Sequence, residues 1–426
     1  MAELKAVVFS VRNVFFNDST RQFDDYQVSR LIKLIQYLAT KNIKVIFHSN
    51  DRWNIARDKS ISIAQHLAQL SGEEISYYNL VDHVGMPRKP FRASLEYLLR
   101  NEGLSTNEVI YVGCNENDWR SSINANVLFI KANWIKGTEE IPYGFSFDDL
   151  AALARFIDIC CIQANQTELI SYRDENIEYY TLSPFSTMKP QFEAYSASAR
   201  STAKKLTYSS MPDFWLMLLI AKIYFSGLYL DINAIIAFPG HKVGFGNSVM
   251  DEALDVFVKC FRKAYLHDAL IRHTQSIKSQ NARNSGQASS LGIYNHLNTL
   301  KLNRNPMKFG TDKAIRANQY KNKVILLIDD IATAGYSLDA SSLMLKNAGA
   351  KRIICFSWLK TINTAFHIST EPLPKSYPIY DAINNAEDLY PASNPVQIPY
   401  HSIMSSSSGY EMSRLFEDFI NWDVDI

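Results

Sequence analysis

An apolar run from Val324 to Ile328 ends in two adjacent aspartates, Asp329 and Asp330. The chain then passes through Ile331, Ala332, Thr333, Ala334, Gly335, Tyr336 and Ser337. Residue types in this order suit one kind of ligand. The apolar residues predict a buried strand, and open α/β sheets bind ligands just beyond the carboxyl ends of their strands. Small and hydroxyl-bearing residues opening a helix present backbone N–H groups and hydroxyls to an anion, above all a phosphate. Paired carboxylates accept hydrogen bonds from vicinal ribose hydroxyls and offer hard oxygens to magnesium. The same string also fits a plainer structure, an acidic turn followed by a Ser/Thr-capped helix. The first reading gives phosphate, diol and metal a partner each.

A second set of polar residues punctuates the first 135 positions. Ser10 and Arg12 follow the apolar run Ala6 to Phe9, and His48 and Ser49 follow Ile43 to Phe47. Lys89 heads a helix, and Cys114 and Asp118 follow Val109 to Val112. A serine nucleophile needs an activating base, and none is evident near Ser10. Magnesium needs hard carboxylate oxygens, and Asp118 alone is a poor site. His48, with no carboxylate partner in view, reads as structural.

Over residues 4 to 135 this arrangement resembles the haloacid dehalogenase (HAD) phosphatase superfamily. Val7 to Val14 lines up with its first motif, a strand followed by Asp-x-Asp, and Ile46 to Asn50 with the second. Lys89 falls at the third, and Val112 to Asp118 at the fourth, usually Gly-Asp followed by a further Asp. Ser10 and Arg12 stand where the family has its nucleophilic and acid/base aspartates, and Cys114 replaces a metal-binding aspartate. The resemblance therefore implies a degenerate, catalytically silent domain kept as scaffold, partner surface or ligand sensor. Ser49 and Lys89 are then relics, or an anion site beside Arg12.

The string from Val324 to Ser337 resembles the signature of type I phosphoribosyltransferases, and residues 208 to 365 look most like the ComF-type relatives. That resemblance implies magnesium-dependent transfer from 5-phosphoribosyl 1-pyrophosphate to a base or amine, through an oxocarbenium-like transition state. Asp329 and Asp330 are then the catalytic and metal-facing residues, and Ile331 to Ser337 bind the phosphoribosyl group. Pro239, Gly240, His241 and Lys242 form the pyrophosphate loop, with Phe238-Pro239 closing a strand and Gly244-Phe245-Gly246-Asn247 opening a helix. Arg272, Thr274 and Gln280 lie in the polar stretch that precedes the phosphate-binding strand. Ala334 departs from the usual second Thr, which implies weakened phosphate binding. The alternative is a non-catalytic regulatory protein that binds a nucleotide or phosphoribosyl ligand. A homodimer, and a partner protein from a biosynthetic or stress-response operon of the tellurium-resistance type, are further implications of the resemblance.

The elements that must position these residues alternate strand and helix twice, which predicts an α/β chain with two doubly wound parallel-sheet domains. The divisions are 1–150, a connecting region at 151–207, the second domain at 208–365 and an extension at 366–426. A helix is expected over 147–163, a strand over 177–182, and a linker or surface helix over 195–205. Helices over 212–227 and 248–264 flank a strand at 234–238. A strand at 324–328, a helix at 337–347 and a strand at 352–357 follow. Between Arg272 and Lys323 the chain is cationic, with turn formers Gly286 and Gly292. It fits a mobile lid with Arg272, Arg283 or Lys308 on phosphates, or a disordered insertion. Ser405 to Ser408 reads as a linker before a tail helix at 410–422.

Composition bounds the rest. The 426 residues are 47% hydrophobic and 20% charged, and 44 Lys and Arg balance 43 Asp and Glu. No global field draws nucleic acid or membrane. Five cysteines without CxxC spacing predict reduced, buried thiols. The run Phe214 to Tyr229 contains Lys222 and is too short to span a bilayer. The expectation is a soluble, cytoplasmic protein.

Overall fold

The computed structural model describes residues 1–17, 20, 22–55, 59–135, 141, 143, 145–166, 169–173, 178–186, 188–205, 214–246, 248–277, 292–311, 319–362, 364, 366–391, 395–399 and 408–426. Two six-stranded sheets organise these residues. The first contains β1 (Ala6–Phe9), β2 (Lys44–His48), β3 (Ile75–Tyr78), β4 (Val109–Gly113), β5 (Leu128–Ala132) and β6 (Ser146–Phe147). Its order is β3-β2-β1-β4-β5-β6, and every pairing is parallel.

The inner strands are mostly apolar because helices α1 (Asp25–Thr40), α2 (Ile63–Ser71), α3 (Arg92–Glu102) and α4 (Glu116–Asn124) shield the sheet. Helix α1 shows how local sequence sets an element. The Asp24 carboxylate accepts the Gln27 N–H at its start, and Leu31, Leu34, Ile35 and Leu38 recur on one buried stripe.

Strands continue with β7 (Ile170–Arg173), β8 (Glu178–Phe185), β9 (Ala234–Ala237), β10 (Gly244–Phe245) and β11 (Ala264–Tyr265). Then come β12 (Leu270–Arg272), β13 (Leu300–Leu302), β14 (Val324–Ala332), β15 (Arg352–Thr361), β16 (Phe366–Ser369) and β17 (Val396–Pro399). The second sheet runs β11-β9-β14-β15-β8-β7, parallel but for the edge strand β7. A small antiparallel sheet, β10-β12-β13, stands beside it, and β16 and β17 form an antiparallel pair.

In each sheet the chain leaves in opposite directions from one pair of neighbours. From β1 it proceeds outward to β2 and β3, whereas β4 leads to β5 and β6 on the other side. From β9 it proceeds outward to β11, whereas β14 leads to β15. Such a divergence opens a crevice beyond the strand ends, the place where open α/β sheets bind ligands.

Several elements differ from the sequence expectation. Strand β14 does not stop at Ile328 but runs through both aspartates to Ala332, because β15 is as long and keeps pairing as far as Ala332 beside Lys360. Residues 151–207 are more than a connection, since they supply β7 and β8 to the second sheet. The helix expected over 147–163 is α5 (Leu150–Arg155) continued as a π-helix over Phe156–Gln163. Residues 195–205 lie in α6 (Glu193–Lys205), whose Tyr195 and Ser196 are fully buried rather than on a linker or surface helix.

Helix α7 (Phe214–Phe225) is buried on every side. It belongs to an apolar core that takes residues from both sheets, from α8 (Ser248–Phe261) and from α10 (Ser408–Ile420). A separate apolar core on the other side of the second sheet takes in α9 (Tyr336–Asn347) and residues of the extension such as Leu373, Ile379 and Tyr390. All five cysteines are buried thiols outside any disulfide. Among the described residues no helix is long and apolar enough to cross a membrane.

Candidate functional site

Strands β9 and β14 are parallel neighbours in register, Ala237 beside Ile328, so the chain leaves both strands at the same edge of the sheet. Phe238 N–H donates to the Ile328 carbonyl at 2.7 Å, carrying the pairing one residue further. The loop Pro239 to Lys242 therefore starts beside Asp329 and Asp330. Asp329 is buried, and its carboxylate accepts the Ser337 hydroxyl at 2.6 Å and the Asp330 N–H at 2.9 Å. It braces the turn from inside. Asp330 is half-buried, and its carboxylate accepts the Ile331 N–H at 2.6 Å.

Thr333, Ala334, Tyr336 and Ser337 are half-buried, Ile331 likewise, and Ala332 is buried. Gly335 has φ 88°, a left-handed conformation that opens α9 at Tyr336, one residue before the expected start. A β-carbon at Gly335 would lie 2.0 Å from Cε1 of His367, so only glycine lets β16 approach the turn this closely. The Ile368 N–H donates to the Ala334 carbonyl at 3.0 Å. Lys360, wholly buried, donates to the carbonyls of Thr333 (2.5 Å), Thr364 (2.8 Å) and Thr361 (2.9 Å).

In the adjoining loop Pro239 is buried, His241 half-buried, and Gly240 and Lys242 are exposed. Arg272, expected as a lid cation for phosphate, is instead fully buried beneath this loop. Its guanidinium donates to the Gly240 carbonyl and to the Thr299 hydroxyl, each at 2.6 Å, and lies 5.3 Å from the Phe238 ring centre. Burial pulls its pKa down to about 10, with the Asp329 carboxylate acting the other way. The neighbouring His296 is held down to about 3 by burial and by Arg272, so it stays a neutral ring. Ser276 N–H donates to the His241 carbonyl at 3.0 Å, a second tie between loop and lid base. Thr274 and Lys308 are exposed, whereas Asn247, Gln280, Arg283, Gly286 and Ser405 to Ser407 lie outside the described residues.

Asp329 is buried and both its oxygens already accept hydrogen bonds, so a magnesium ion here would rest mainly on Asp330, with its other ligands from water and a bound phosphate. Among the described residues no group of three or more His, Cys, Asp or Glu forms a self-sufficient metal site.

The crevice of the first sheet, between β1 and β4, gathers the other candidates. Ser10 is buried at the end of β1. Lys89 precedes α3 by three residues rather than heading it, and is itself buried. Its ammonium donates to Asp118 at 2.6 Å, the His48 carbonyl at 3.1 Å, the Tyr111 hydroxyl at 3.3 Å and Ser10 Oγ at 3.5 Å. The other Asp118 oxygen accepts the Cys114 N–H at 3.3 Å, and Gly113 leaves no room for a β-carbon against that side chain. Lys89 and Asp118 thus neutralise each other inside the protein, and this donor set does not fit a metal.

Ser49 Oγ accepts the Trp53 indole N–H at 2.9 Å and the Asp51 N–H at 3.2 Å, so its hydroxyl serves the loop rather than the crevice. Arg12 is exposed, and its carbonyl accepts the Cys114 thiol at 3.3 Å. His48 is buried between Ser94 (2.9 Å) and Tyr111 (3.3 Å), and burial with the Lys89 charge holds its pKa well below the usual range. That is a structural histidine.

No family model matches the chain, and no curated protein matches it. Solved structures similar to part of it include a HAD-superfamily hydrolase from Ehrlichia chaffeensis. That match has 19% identity and a TM-score of 0.26, and covers 37% of this chain and 97% of that one. Another is the cobalt-bound deoxy-D-mannose-octulosonate 8-phosphate phosphatase of Haemophilus influenzae, at 15% identity and TM-score 0.22, covering 30% of this chain and 67% of that one. A subfamily IA HAD-superfamily hydrolase from Geobacter sulfurreducens is similar at 14% identity and TM-score 0.22, covering 34% of this chain and 95% of that one.

Proposed function

We propose that the chain is a magnesium-dependent phosphoribosyltransferase whose site is the crevice between β9 and β14, with the first domain as a catalytically silent HAD-like scaffold. The observation that carries this reading is topological. Asp329 and Asp330, still on β14, lie beside the start of the loop Pro239 to Lys242, which leaves the adjacent parallel strand β9 at the point where the second sheet diverges. In this reading Asp330 accepts the ribose hydroxyls while Asp329 holds the turn through Ser337. The N–H groups of Ala334 and Gly335 and the Thr333 hydroxyl receive the 5-phosphate at the start of α9. Lys242 and the backbone of Gly240 and His241 face the pyrophosphate. Magnesium, when bound with the donor, neutralises the leaving pyrophosphate. The chain itself fixes the ribose so that positive charge developing at C1 lies near a carboxylate, which is positioning and electrostatics rather than proton transfer.

The silence of the first domain is supported by Lys89, whose charge is spent on Asp118. Ser10, beside them, meets the Lys89 ammonium rather than a base that could activate it. The test of the main reading is calorimetric titration with 5-phosphoribosyl 1-pyrophosphate and magnesium, on the native chain and on Asp330→Asn. Micromolar binding that weakens at least tenfold in the variant, about 1.4 kcal/mol, is expected. No binding by the folded native chain sinks it. The second reading, a regulatory protein that binds such a ligand without turnover, is favoured by Ala334 at the usual Thr position. Release of pyrophosphate during incubation with candidate amines and bases separates the two.

A further inference from the structure

We infer that Lys360 and the strand after it, β16, form a clamp behind the turn Thr333–Gly335 that sets its backbone amides for an anion. The inference rests on the reading of that turn as a ribose 5-phosphate site, and adds to it a positioning residue and a role for the extension.

The Lys360 head group meets three carbonyls, those of Thr333, Thr361 and Thr364. Three acceptors match the three N–H bonds of the protonated amine and offset the burial that pulls its pKa down to about 7. One acceptor belongs to the turn, and the others belong to the end of β15 and the return toward β16. A second tie comes from β16, where the Ile368 N–H takes the Ala334 carbonyl.

In a trans peptide the C=O of one residue and the N–H of the next point opposite ways. Holding the Thr333 carbonyl on Lys360 and the Ala334 carbonyl on Ile368 therefore turns the Ala334 and Gly335 N–H groups away from the clamp. With Gly335 left-handed, successive amides on one side make the concave backbone cradle that binds anions. His367 is seated directly behind the Gly335 backbone. Thr370 ties β16 to α9, through its hydroxyl and its N–H on the Asp339 carboxylate. The extension is thus built into the site from behind, touching the turn by its carbonyls.

The experiment compares the full native chain with Lys360→Met and Lys360→Arg. Hydrogen exchange without ligand reads the amide of Ile368, which the Ala334 carbonyl holds. Titrations with ribose 5-phosphate, and separately with magnesium pyrophosphate, read the two halves of the site. The expected result for Lys360→Met is exchange at least tenfold faster at the Ile368 amide. Ribose 5-phosphate should bind at least tenfold more weakly with pyrophosphate within twofold, and Lys360→Arg should recover part of the loss. Native-like exchange and affinity in Lys360→Met overturn the proposal. Equal weakening of both ligands also overturns it, since that is general loss of structure. If the native chain binds neither ligand, the phosphoribosyl reading fails, and the exchange comparison alone decides the clamp. Should Lys360→Met not fold, Thr370→Val, which removes the hydroxyl bond to Asp339 and leaves only the N–H bond, must give the same split.

Discussion

Asp339, in the first turn of α9, is nearly inaccessible, and burial raises its pKa to about 6 despite two hydrogen bonds from Thr370. A carboxyl whose folded pKa lies above its unfolded value takes up its proton first in the folded state, so stability falls as pH rises between those values. Asp339→Asn removes that dependence while keeping an acceptor for Thr370. Urea unfolding should show the variant gaining on the native chain by about 2–3 kcal/mol between pH 4 and 7. At the first crevice the Lys89–Asp118 pair sets up a different comparison. Lys89→Met leaves a buried carboxylate alone and should cost about 3–5 kcal/mol in denaturant unfolding. The double variant Lys89→Met with Asp118→Leu should cost clearly less, because no charge is stranded. Gly335→Ala meets both a left-handed backbone and the His367 ring, and should lower the calorimetric Tm and abolish ribose 5-phosphate binding.

Among the elements, α7 has no exposed face, and its Leu219 is wholly buried. Leu219→Ala should cost about 2–5 kcal/mol by denaturant unfolding, since little around it can collapse into the space. Apolar runs made the main strands legible, and small residues marked the turn Thr333–Gly335, although the strand before it runs on through both aspartates and the helix after it already includes Ser337. The features that stayed hidden were long-range. Period and composition describe a strand but not its neighbour, so nothing local said that Glu178–Phe185 would pair with Arg352–Thr361. Arg272 looked like a free lid cation because a sequence does not reveal that Gly240 and Thr299 will converge on it. Lys360 did leave a sign, a lysine inside the apolar run of β15, which is uncommon unless its charge has partners. Residues 156–163 read as an ordinary helix because a π-helix has the same apolar composition, and only the hydrogen-bond spacing differs.

The whole molecule is joined through its middle. Tyr224 of α7 donates its hydroxyl to carbonyls of Thr106 and Val109, and Tyr229 to that of Asn126, so both sheets share contacts as well as an apolar core. Trp422, beyond α10, donates to Asp158 at 3.0 Å and fastens the tail to the same region. A fragment of residues 1–166 loses this cover, and should be recovered mainly as aggregate, with the full chain soluble under the same expression conditions. The pairing of β8 with β15 also bears on how the protein is made. The first sheet is complete once residue 147 has been added. The second waits, because Tyr179 and Ser357, whose hydroxyls meet at 2.6 Å, are 178 residues apart. At about 5–20 residues per second a ribosome needs roughly ten to forty seconds to cover that distance. For that interval β8 is out of the tunnel without the strand it pairs with, and the yield of native protein depends on what shelters that edge until β15 arrives.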